Sequence, residues 1–284
     1  ESVPTLMFVN KTLLEREGIP MPEDNWTWED FLFLCRRVTK DTDGDGVIDQ
    51  FGCFDYGWRE AVCANGVQLF AKDGASSCFS DARVEAAVKF VRELHRVNEG
   101  FTVTSREFDA GKVAFRPFAF SEYRTYKPYP WRIKKYSDFE WDCVKLPVGP
   151  DGRGESELST LLMGMSSRSR QEDMAWELMK ELCYAKETQM HLLKASQGMP
   201  VIRSAAESPL LYQVLSNDIP GNAHMDVRVI QEVMEEAVEA PNFRWYASAM
   251  RLAEGEISQI INGDVSVDSG LLKLQREVNG WIRK

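Results

Sequence analysis

The sequence predicts a mixed α/β fold, and three observations lead to this prediction. Short apolar segments of strand length, such as 6–9 and 113–120, alternate with segments whose apolar residues recur at helical spacing. Helical patterns dominate the last third of the chain, over 227–238, 245–261 and 269–282. The 284 residues are 44% hydrophobic and 27% charged, which is the composition of a protein that buries a core.

Helix-start signals locate further helices in the chain. Thr27, with Asp30 three residues later, is typical of a capped helix start, and the apolar residues that follow lie on one helical face. Ser80 precedes a second apolar stripe, and we expect it to cap that helix. Ser169 and Glu172 have the spacing of a capping box, which predicts a helix from residue 170 onward.

Two apolar segments predict strands in the second half of the chain. Trp141–Leu146 ends before a proline, and Leu161–Met165 is an uninterrupted apolar run ahead of a helix. The segment Tyr123–Trp131 combines aromatic, proline and charged residues, and it predicts a loop. Three tryptophans fall on apolar helical faces and are expected in the core: Trp28, Trp176 and Trp281.

Charge and motif content exclude several classes of function. The formal net charge of -10 argues against a nucleic acid or an anionic membrane as the main partner, because both bind basic surfaces. No apolar run reaches 18 residues, so no membrane-spanning helix is expected. The three histidines are scattered, and no G-x-S-x-G nucleophile motif occurs. We therefore expect a binding module with no catalytic residues, not an enzyme.

The cysteines leave the cellular compartment open. None of the six lies in a C-x-x-C pair, and several lie on apolar faces, so we expect buried thiols with at most one disulfide. Six free thiols are unusual in an oxidising compartment, and a cytoplasmic location therefore stays possible on this evidence.

An acidic loop is the most specific local signal. Asp41, Asp43, Asp45 and Asp49 alternate with other residues, so that their carboxylates, together with the Val47 carbonyl, can converge on one cation. The pattern resembles the first nine positions of an EF-hand calcium loop. Its twelfth position is a glycine, which cannot supply the usual bidentate carboxylate. The alternatives are one structural calcium ion or a turn closed by aspartate hydrogen bonds; no other cofactor is expected.

Several segments, in order, resemble the extracellular solute-binding proteins of family 1, which serve carbohydrate ABC transporters and include maltose-binding protein. The segments are N-K-T-L-L at the start, W-T-W-E-D-F, D-T-D-G-D-G-V-I-D-Q-F-G, D-A-G-K-V-A, L-P before a glycine turn, A-W-E-L and G-M-P. The resemblance implies a periplasmic-binding-protein-like fold of type II, with two α/β lobes and a sugar held between them.

The resemblance also implies how the chain is divided between the lobes. The chain is expected to hold mainly the C-terminal lobe and the returning part of the N-terminal lobe, most of which is expected to be missing. Residues 1–155 would form the C-terminal-lobe core, residues 156–205 would return to the N-terminal lobe, and residues 206–284 would complete the second lobe. A permease partner and an extracellular, periplasmic or cell-surface lipoprotein location follow by resemblance, with membrane contact only through a lipid anchor that this chain lacks.

The same resemblance identifies candidate sugar contacts. Sugars present apolar C–H faces and polar rims, which proteins meet with aromatic rings and hydrogen-bonding groups. The aromatic positions that match the family's cleft, and their polar neighbours, are Tyr56, Trp58, Phe118, Glu122, Arg244 and Trp245. Two other functions stay open: a cytoplasmic ligand-sensing domain of a transcription regulator with the same fold, and a glycoside-acting enzyme with two facing carboxylates.

Overall fold

The structure of the protein is a computed structural model, which describes residues 1–122, 139–196, 198–217 and 227–282. The predicted loop Tyr123–Trp131 lies outside these residues. In chain order, the described strands are β1 (Ser2–Val3), β2 (Thr5–Asn10), β3 (Phe51–Cys53), β4 (Val113–Ala119), β5 (Trp141–Val144), β6 (Glu157–Thr160) and β7 (Val238–Glu239).

The helices alternate with these strands, as the sequence predicts for an α/β protein. In chain order, the described helices are α1 (Lys11–Arg16), α2 (Trp28–Val38), α3 (Trp58–Ala64), α4 (Ala82–Arg96), α5 (Ser105–Asp109), α6 (Glu172–Tyr184), α7 (Lys186–Ala195), α8 (Arg203–Ala206), α9 (Pro209–Asn217), α10 (Val227–Glu236), α11 (Tyr246–Asn262) and α12 (Val267–Ile282).

Strand β2 lies inside a four-stranded sheet of order β3-β4-β2-β5. It pairs antiparallel with β4 on one edge and with β5 on the other, and β3 pairs parallel with β4. Its side chains alternate between the two faces, so Met7 and Val9 point to one hydrophobic core while Leu6 and Phe8 point to another. A continuous apolar run such as Leu6–Val9 is expected when both faces of a sheet are covered.

Helices cover both faces of this sheet. The first core lies between one face and helices α1 to α4, α11 and α12, and it contains Phe31 of α2, Val88 of α4 and Ile257 of α11. The second core lies on the other face and contains Leu193 of α7 and Ile230 of α10. Residues 206–284 therefore contribute to both cores, because α10 packs in the second core and α11 in the first.

A second, three-stranded sheet of order β1-β6-β7 adjoins the first. Strand β6 pairs antiparallel with β1 and parallel with β7. Only Pro4 separates β1 from β2, so the chain passes directly from one sheet to the other. The Pro4 carbonyl also accepts a hydrogen bond at 2.9 Å from the amide of Phe120, the residue just beyond β4. The end of β4 and the start of β2 thus mark the boundary between the two sheets.

Helix α2 confirms the predicted capping box, whereas α4 begins differently from the prediction. The Asp30 amide donates to the Thr27 hydroxyl, and the Thr27 amide donates to an Asp30 carboxylate oxygen at 2.8 Å. In α4 the cap is Asp81 rather than Ser80: its Oδ1 accepts from the Arg83 amide at 2.8 Å. A carboxylate at this position also faces the positive end of the helix dipole, which favours Asp81 over its neighbour.

Two predictions in the second half of the chain are wrong. The segment Leu161–Met165 is exposed and not a strand, because β6 ends at Thr160 and no described strand lies alongside the segment that follows. Helix α6 begins at Glu172 with Gln171 as its cap residue, so the Ser169 capping box does not form. The Ser169 hydroxyl instead accepts a hydrogen bond from the Gln171 amide at 3.2 Å.

Helix α6 has an exposed apolar surface. None of its residues is buried, and Trp176, which the sequence predicted in the core, is 50% exposed together with Met174 and Leu178. These side chains stay exposed although α6 is in contact with α7. Trp28, in contrast, is buried against Phe90 with stacked rings 4.5 Å apart, as predicted.

Two general predictions agree with the described part of the chain. All six cysteines are free thiols, and Cys35, Cys53 and Cys143 are buried. Burial raises the pKa of the Cys35 and Cys53 thiols, which disfavours the reactive thiolate. Among the described helices, none is both long and apolar enough to cross a bilayer.

Asn10 connects the central strand to its neighbours through a buried side chain. Its Oδ1 accepts from the Leu13 amide at 3.0 Å and so caps α1, and its Nδ2 donates to the Gly111 carbonyl at 3.1 Å. The residue is fully buried at the end of β2. One side chain thus fixes both the start of α1 and the turn that precedes β4.

Replacing Asn10 tests this connection. Asn10→Ala is expected to lower the free energy of unfolding by about 2–4 kcal/mol, because α1 loses its cap and the Gly111 carbonyl loses its donor. Urea unfolding followed by circular dichroism measures the change. Asn262→Ala removes an exposed asparagine and is the matched control, with an expected change below about 0.5 kcal/mol. Equal effects of the two substitutions would contradict the role given to Asn10.

Candidate functional site

A cleft of about 330 Å³ opens at the boundary between the two sheets. One wall is the start of α3, from Gly57 to Glu60, and the floor is the end of β4, from Arg116 to Ala119. Thr5 pairs with Ala119 across the sheet, so the first residues of β2 complete the floor. Two carboxylates from other parts of the chain, Glu122 and Glu254, reach the rim.

Trp58 attaches the α3 wall of the cleft to α11. Its indole nitrogen donates to a Glu254 carboxylate oxygen at 3.0 Å, although the two residues are far apart in sequence. The Glu60 carboxylate accepts from the Gly57 amide at 3.1 Å, which stabilises the first turn of α3, and burial raises the pKa of Glu60. Trp58 itself is buried in the first core, so little of its ring is accessible from the cleft.

Phe118 reaches the cleft from the opposite core. Its ring packs edge-to-face on Phe8 at 5.8 Å and on Trp141 at 6.4 Å between ring centres. It is buried in the second core while also lining the cleft. The structure therefore brings Trp58 and Phe118 to the same cleft from opposite faces of the sheet.

Arg116 is the most constrained polar group of the cleft. Its guanidinium lies over the rings of Phe54 and Phe108, at 5.3 and 5.0 Å from their centres. Its Nη2 is 3.2 Å from a Glu122 carboxylate oxygen and 3.8 Å from one of Asp55. The side chain is only 13% exposed, so a planar cation is held in a defined orientation at the cleft floor.

Asp55 and Glu122 flank this arginine in different environments. Asp55 is exposed and has a left-handed backbone with a φ of 66°, which is uncommon for a residue other than glycine. Burial raises the pKa of Glu122; the nearby Arg116 partly offsets this rise, and Asp55 adds to it. Sequence reasoning missed Arg116 and Asp55, although an arginine inside an otherwise apolar strand segment was a visible signal.

Tyr56 does not line the cleft, although the sequence analysis named it as a candidate sugar contact. It is 2% exposed, and its ring packs edge-to-face on Phe31 at 5.0 Å and on Phe90 at 6.1 Å. Burial raises the pKa of its hydroxyl well above the ordinary value. The side chain belongs to the first core, where it packs against rings of α2 and α4.

Arg244 and Trp245 lie outside the cleft lining in the described residues. Trp245 is 40% exposed and is the residue that precedes α11, and the Arg244 guanidinium lies over its ring at 4.6 Å. Trp281, which the sequence predicted in the core, lies beside it with ring centres 5.4 Å apart. The predicted convergence of Trp245 with Trp58 and Phe118 in one concavity is therefore not seen.

The acidic loop brings three of its four aspartates together. One carboxylate oxygen from each of Asp41, Asp43 and Asp45 lies within 4.8 Å of the others. Asp41 accepts from the amides of Gly44 and Gly46, both at 2.7 Å, and these hydrogen bonds lower its pKa. Both glycines have a positive φ, which makes the tight turn possible.

Asp49 does not join the three other aspartates. Its carboxylate accepts from the Thr42 hydroxyl at 2.7 Å and the Thr42 amide at 2.8 Å, and it pairs with Lys112 at 3.1 Å. These contacts lower the pKa of Asp49 to about 2, with the Thr42 hydrogen bonds as the main cause. The Val47 side chain is exposed, and its amide donates to Asp45 at 2.8 Å.

Comparisons with known proteins agree on the fold. No protein-family model and no curated protein matches the chain. Among solved structures, a substrate-binding protein of a Listeria monocytogenes ABC transporter in complex with cycloalternan is 14% identical, with a TM-score of 0.78 over 99% of this chain and 70% of that one. A cyclic α-maltosyl-1,6-maltose binding protein from Arthrobacter globiformis is 17% identical, with a TM-score of 0.79 over 99% and 71%.

A third similar structure is the maltose/maltodextrin-binding domain of Bdellovibrio bacteriovorus bound to maltotriose. It is 16% identical, with a TM-score of 0.72 over 100% of this chain and 72% of that one. The chain therefore has the fold of these binding proteins, and the α/β, periplasmic-binding-protein-like fold predicted from the sequence is confirmed.

Charge coupling in the cleft predicts opposite effects of two substitutions on the pKa of Glu122. Arg116→Met removes the neighbouring cation and is expected to raise this pKa further, whereas Asp55→Asn removes a neighbouring anion and is expected to lower it. Carboxyl chemical shifts followed by NMR over a pH titration measure both changes. Arg106→Met, at an exposed arginine of α5, is the control and should leave the Glu122 titration unchanged. Shifts of the same sign in the two variants would refute this account of the cleft.

Proposed function

We propose that this chain, which has the fold of ABC-transporter solute-binding proteins, binds a carbohydrate at the cleft between the start of α3 and the end of β4 and delivers it to an ABC importer. The observation that carries the proposal is the cleft itself, where two aromatic side chains, Trp58 and Phe118, lie beside a fixed guanidinium and several carboxylates. Clefts of this composition suit sugars, whose C–H faces contact rings and whose hydroxyls hydrogen-bond to charged groups.

The cleft residues have distinct proposed roles. Arg116 donates to ligand oxygens from the floor, and its contact with the rings of Phe54 and Phe108 holds the guanidinium in place when the cleft is empty. Asp55 and Glu122 accept hydrogen bonds from ligand hydroxyls on either side of it. Trp58 and Phe118 are almost fully buried, so they give the wall and the floor an apolar lining rather than a full stacking face.

The similar structures support the class of ligand. The proteins from Listeria monocytogenes, Arthrobacter globiformis and Bdellovibrio bacteriovorus carry or are named for cycloalternan, cyclic α-maltosyl-1,6-maltose and maltotriose. By analogy we propose a binding function without catalysis, a transporter permease as partner, and a location outside the cytoplasm, in the periplasm or at the cell surface through a lipid anchor.

A second candidate function is favoured by the six free thiols. A ligand-sensing domain of the same fold inside the cytoplasm would keep all six reduced, whereas an oxidising compartment usually pairs cysteines. Both functions need the same cleft, so the cysteines bear on where the protein works and not on what it binds.

A saccharide panel tests the sugar-binding proposal. A ligand at one hundred times its dissociation constant is expected to stabilise the protein by about 2.7 kcal/mol, which raises the melting temperature measurably. Calorimetry on the best ligand should then show about tenfold weaker binding for Asp55→Asn, because a charged acceptor is lost. Asp264→Asn, at an exposed aspartate between α11 and α12, is the matched control. Neither heat nor stabilisation with any mono- or oligosaccharide would refute the proposal.

We also propose that the acidic loop holds one structural calcium ion. Calcium binds oxygens at about 2.3–2.6 Å, so two oxygens bound to one ion lie up to about 5 Å apart. The carboxylate oxygens of the three aspartates lie within 4.8 Å of one another, which fits this span. Asp41, Asp43 and Asp45 would be ligands together with the Val47 carbonyl. Asp49 would stabilise the loop through its contacts with Thr42 and Lys112, and it could bind the ion only if those contacts were broken.

Calcium titration tests this second proposal. Adding calcium to chelator-treated protein should release or absorb heat and raise the melting temperature, and Asp43→Asn should weaken both effects because one ligand charge is removed. Asp264→Asn again serves as the control. Removing the ion should loosen the loop and the segment up to Trp58 without unfolding the protein. No heat and no stabilisation at millimolar calcium would leave a turn closed by its own hydrogen bonds.

A further inference from the structure

A second cavity, larger than the cleft, adjoins it at Asp55. Its volume is about 470 Å³, compared with about 330 Å³ for the cleft, and this size is typical of small-molecule sites. Residues between Leu94 and Val103, at the end of α4 and in the loop after it, form one wall, and the chain from Cys53 to Tyr56 forms the other. Asp55 alone among the described residues lines both spaces.

The backbone has an uncommon conformation on both walls of the second cavity. Among the described residues, Asp55 and Glu99 are the two non-glycine residues with a positive φ, of 66° and 49°. Glu99 lies between Asn98 and Gly100, which both line the cavity. Residues held in this conformation cost free energy, and they cluster at functional sites. Two of them at one cavity favour a binding site over an incidental gap in the packing.

The lining of the second cavity combines aromatic rings with one carboxylate. Phe101 is 40% exposed, and its ring stacks on that of Phe51 with centres 4.8 Å apart. Phe54 adds another ring, and Asp55 supplies the one carboxylate among the described lining residues. This carboxylate is 3.8 Å from the Arg116 guanidinium, which is longer than a hydrogen bond, so it can accept from a further donor.

The described lining of the second cavity supplies no cation of its own. It contains no lysine or arginine, and burial lowers the pKa of His95, so this ring is neutral at pH 7. Burial also raises the pKa of the Cys35 and Cys53 thiols, which therefore form an uncharged part of the wall. Aromatic rings beside one carboxylate, with no basic side chain among them, are features that bind organic cations.

We propose that the second cavity binds a small organic cation, with the ammonium group at Asp55 and an apolar body against Phe54 and Phe101. This site does not depend on sugar binding, and it meets the cleft only at Asp55 in the described residues. A bound ammonium group would oppose the negative charge of Asp55, which raises the pKa of Glu122 on the cleft side. The second cavity is thereby coupled to the cleft.

Titration with amines and their uncharged counterparts tests this proposal. Choline and phenethylamine are the probes, and dimethylbutanol and phenethyl alcohol are the matched neutral molecules. Calorimetry should detect binding of at least one amine and of neither alcohol. Asp55→Asn should weaken amine binding about tenfold and Phe101→Ala about fivefold, because a charge and a ring are lost. Phe33→Ala, at an exposed phenylalanine of α2 outside the cavity, is the control and should change no affinity.

The titration of Glu122 shows where the amine binds. Saturating amine should lower the pKa of Glu122 in the wild-type protein, followed by NMR, and the same concentration should have a smaller effect in Asp55→Asn. No binding of either amine, equal binding of an amine and its alcohol, or an unchanged Glu122 pKa at saturation would overturn the proposal. Melting temperatures of the variants show whether a loss of affinity reflects loss of fold.

Discussion

The rest of the structure depends on the burial of strand β2 between two cores. Every residue from Leu6 to Asn10 is buried, both edges of the strand are hydrogen-bonded, and its side chains alternate between the two cores. A shift of one residue in register would exchange Met7 and Val9 with Leu6 and Phe8, placing each pair in the wrong core. The register of this strand is therefore fixed by packing on both sides.

That register also positions the candidate site. Phe8 lies opposite Arg116 across the β2–β4 ladder. Farther along the same ladder, Phe118 lies opposite Leu6 and Thr5 lies opposite Ala119. The cleft floor is thus an extension of the hydrogen-bonded ladder, whereas its α3 wall is attached through Trp58 and Glu254. A floor on a rigid ladder keeps the guanidinium in place, and the wall is held both by this hydrogen bond and by the packing of α3 in the first core.

The sequence predicted elements better than it predicted contacts, for a physical reason. Periodicity and caps are local, so the Thr27 capping box and the strand ahead of α1 could be found from a few residues. The segment Leu161–Met165 had the right composition for a strand, but a strand also needs a neighbour, and composition does not reveal one. The position of Tyr56 could not be predicted for a similar reason. Whether its side chain lies in the cleft or in the core depends on rings from α2 and α4.

The resemblance gave positions along the chain and not side-chain directions, so it named candidate contacts without showing which of them share a cleft. Phe118 and Glu122 could be assigned to the cleft, while Asp55 and Arg116 acquire their roles only from the ladder and the turn after β3. Asp49 shows the same limit on a smaller scale. Its spacing fits a cation loop, but Thr42 and Lys112, the latter from a distant part of the chain, occupy its carboxylate.

The exposed apolar side of α6 has a colloidal consequence. Contiguous apolar surface makes protein molecules adhere to each other, and the adhesion grows with concentration. Sulfate and phosphate salts strengthen it, because these ions are excluded from protein surfaces and favour any contact that reduces the exposed area. Among the described residues, the exposed apolar side chains of α6, including Trp176, are therefore one place where such salts draw molecules together while both cores stay folded.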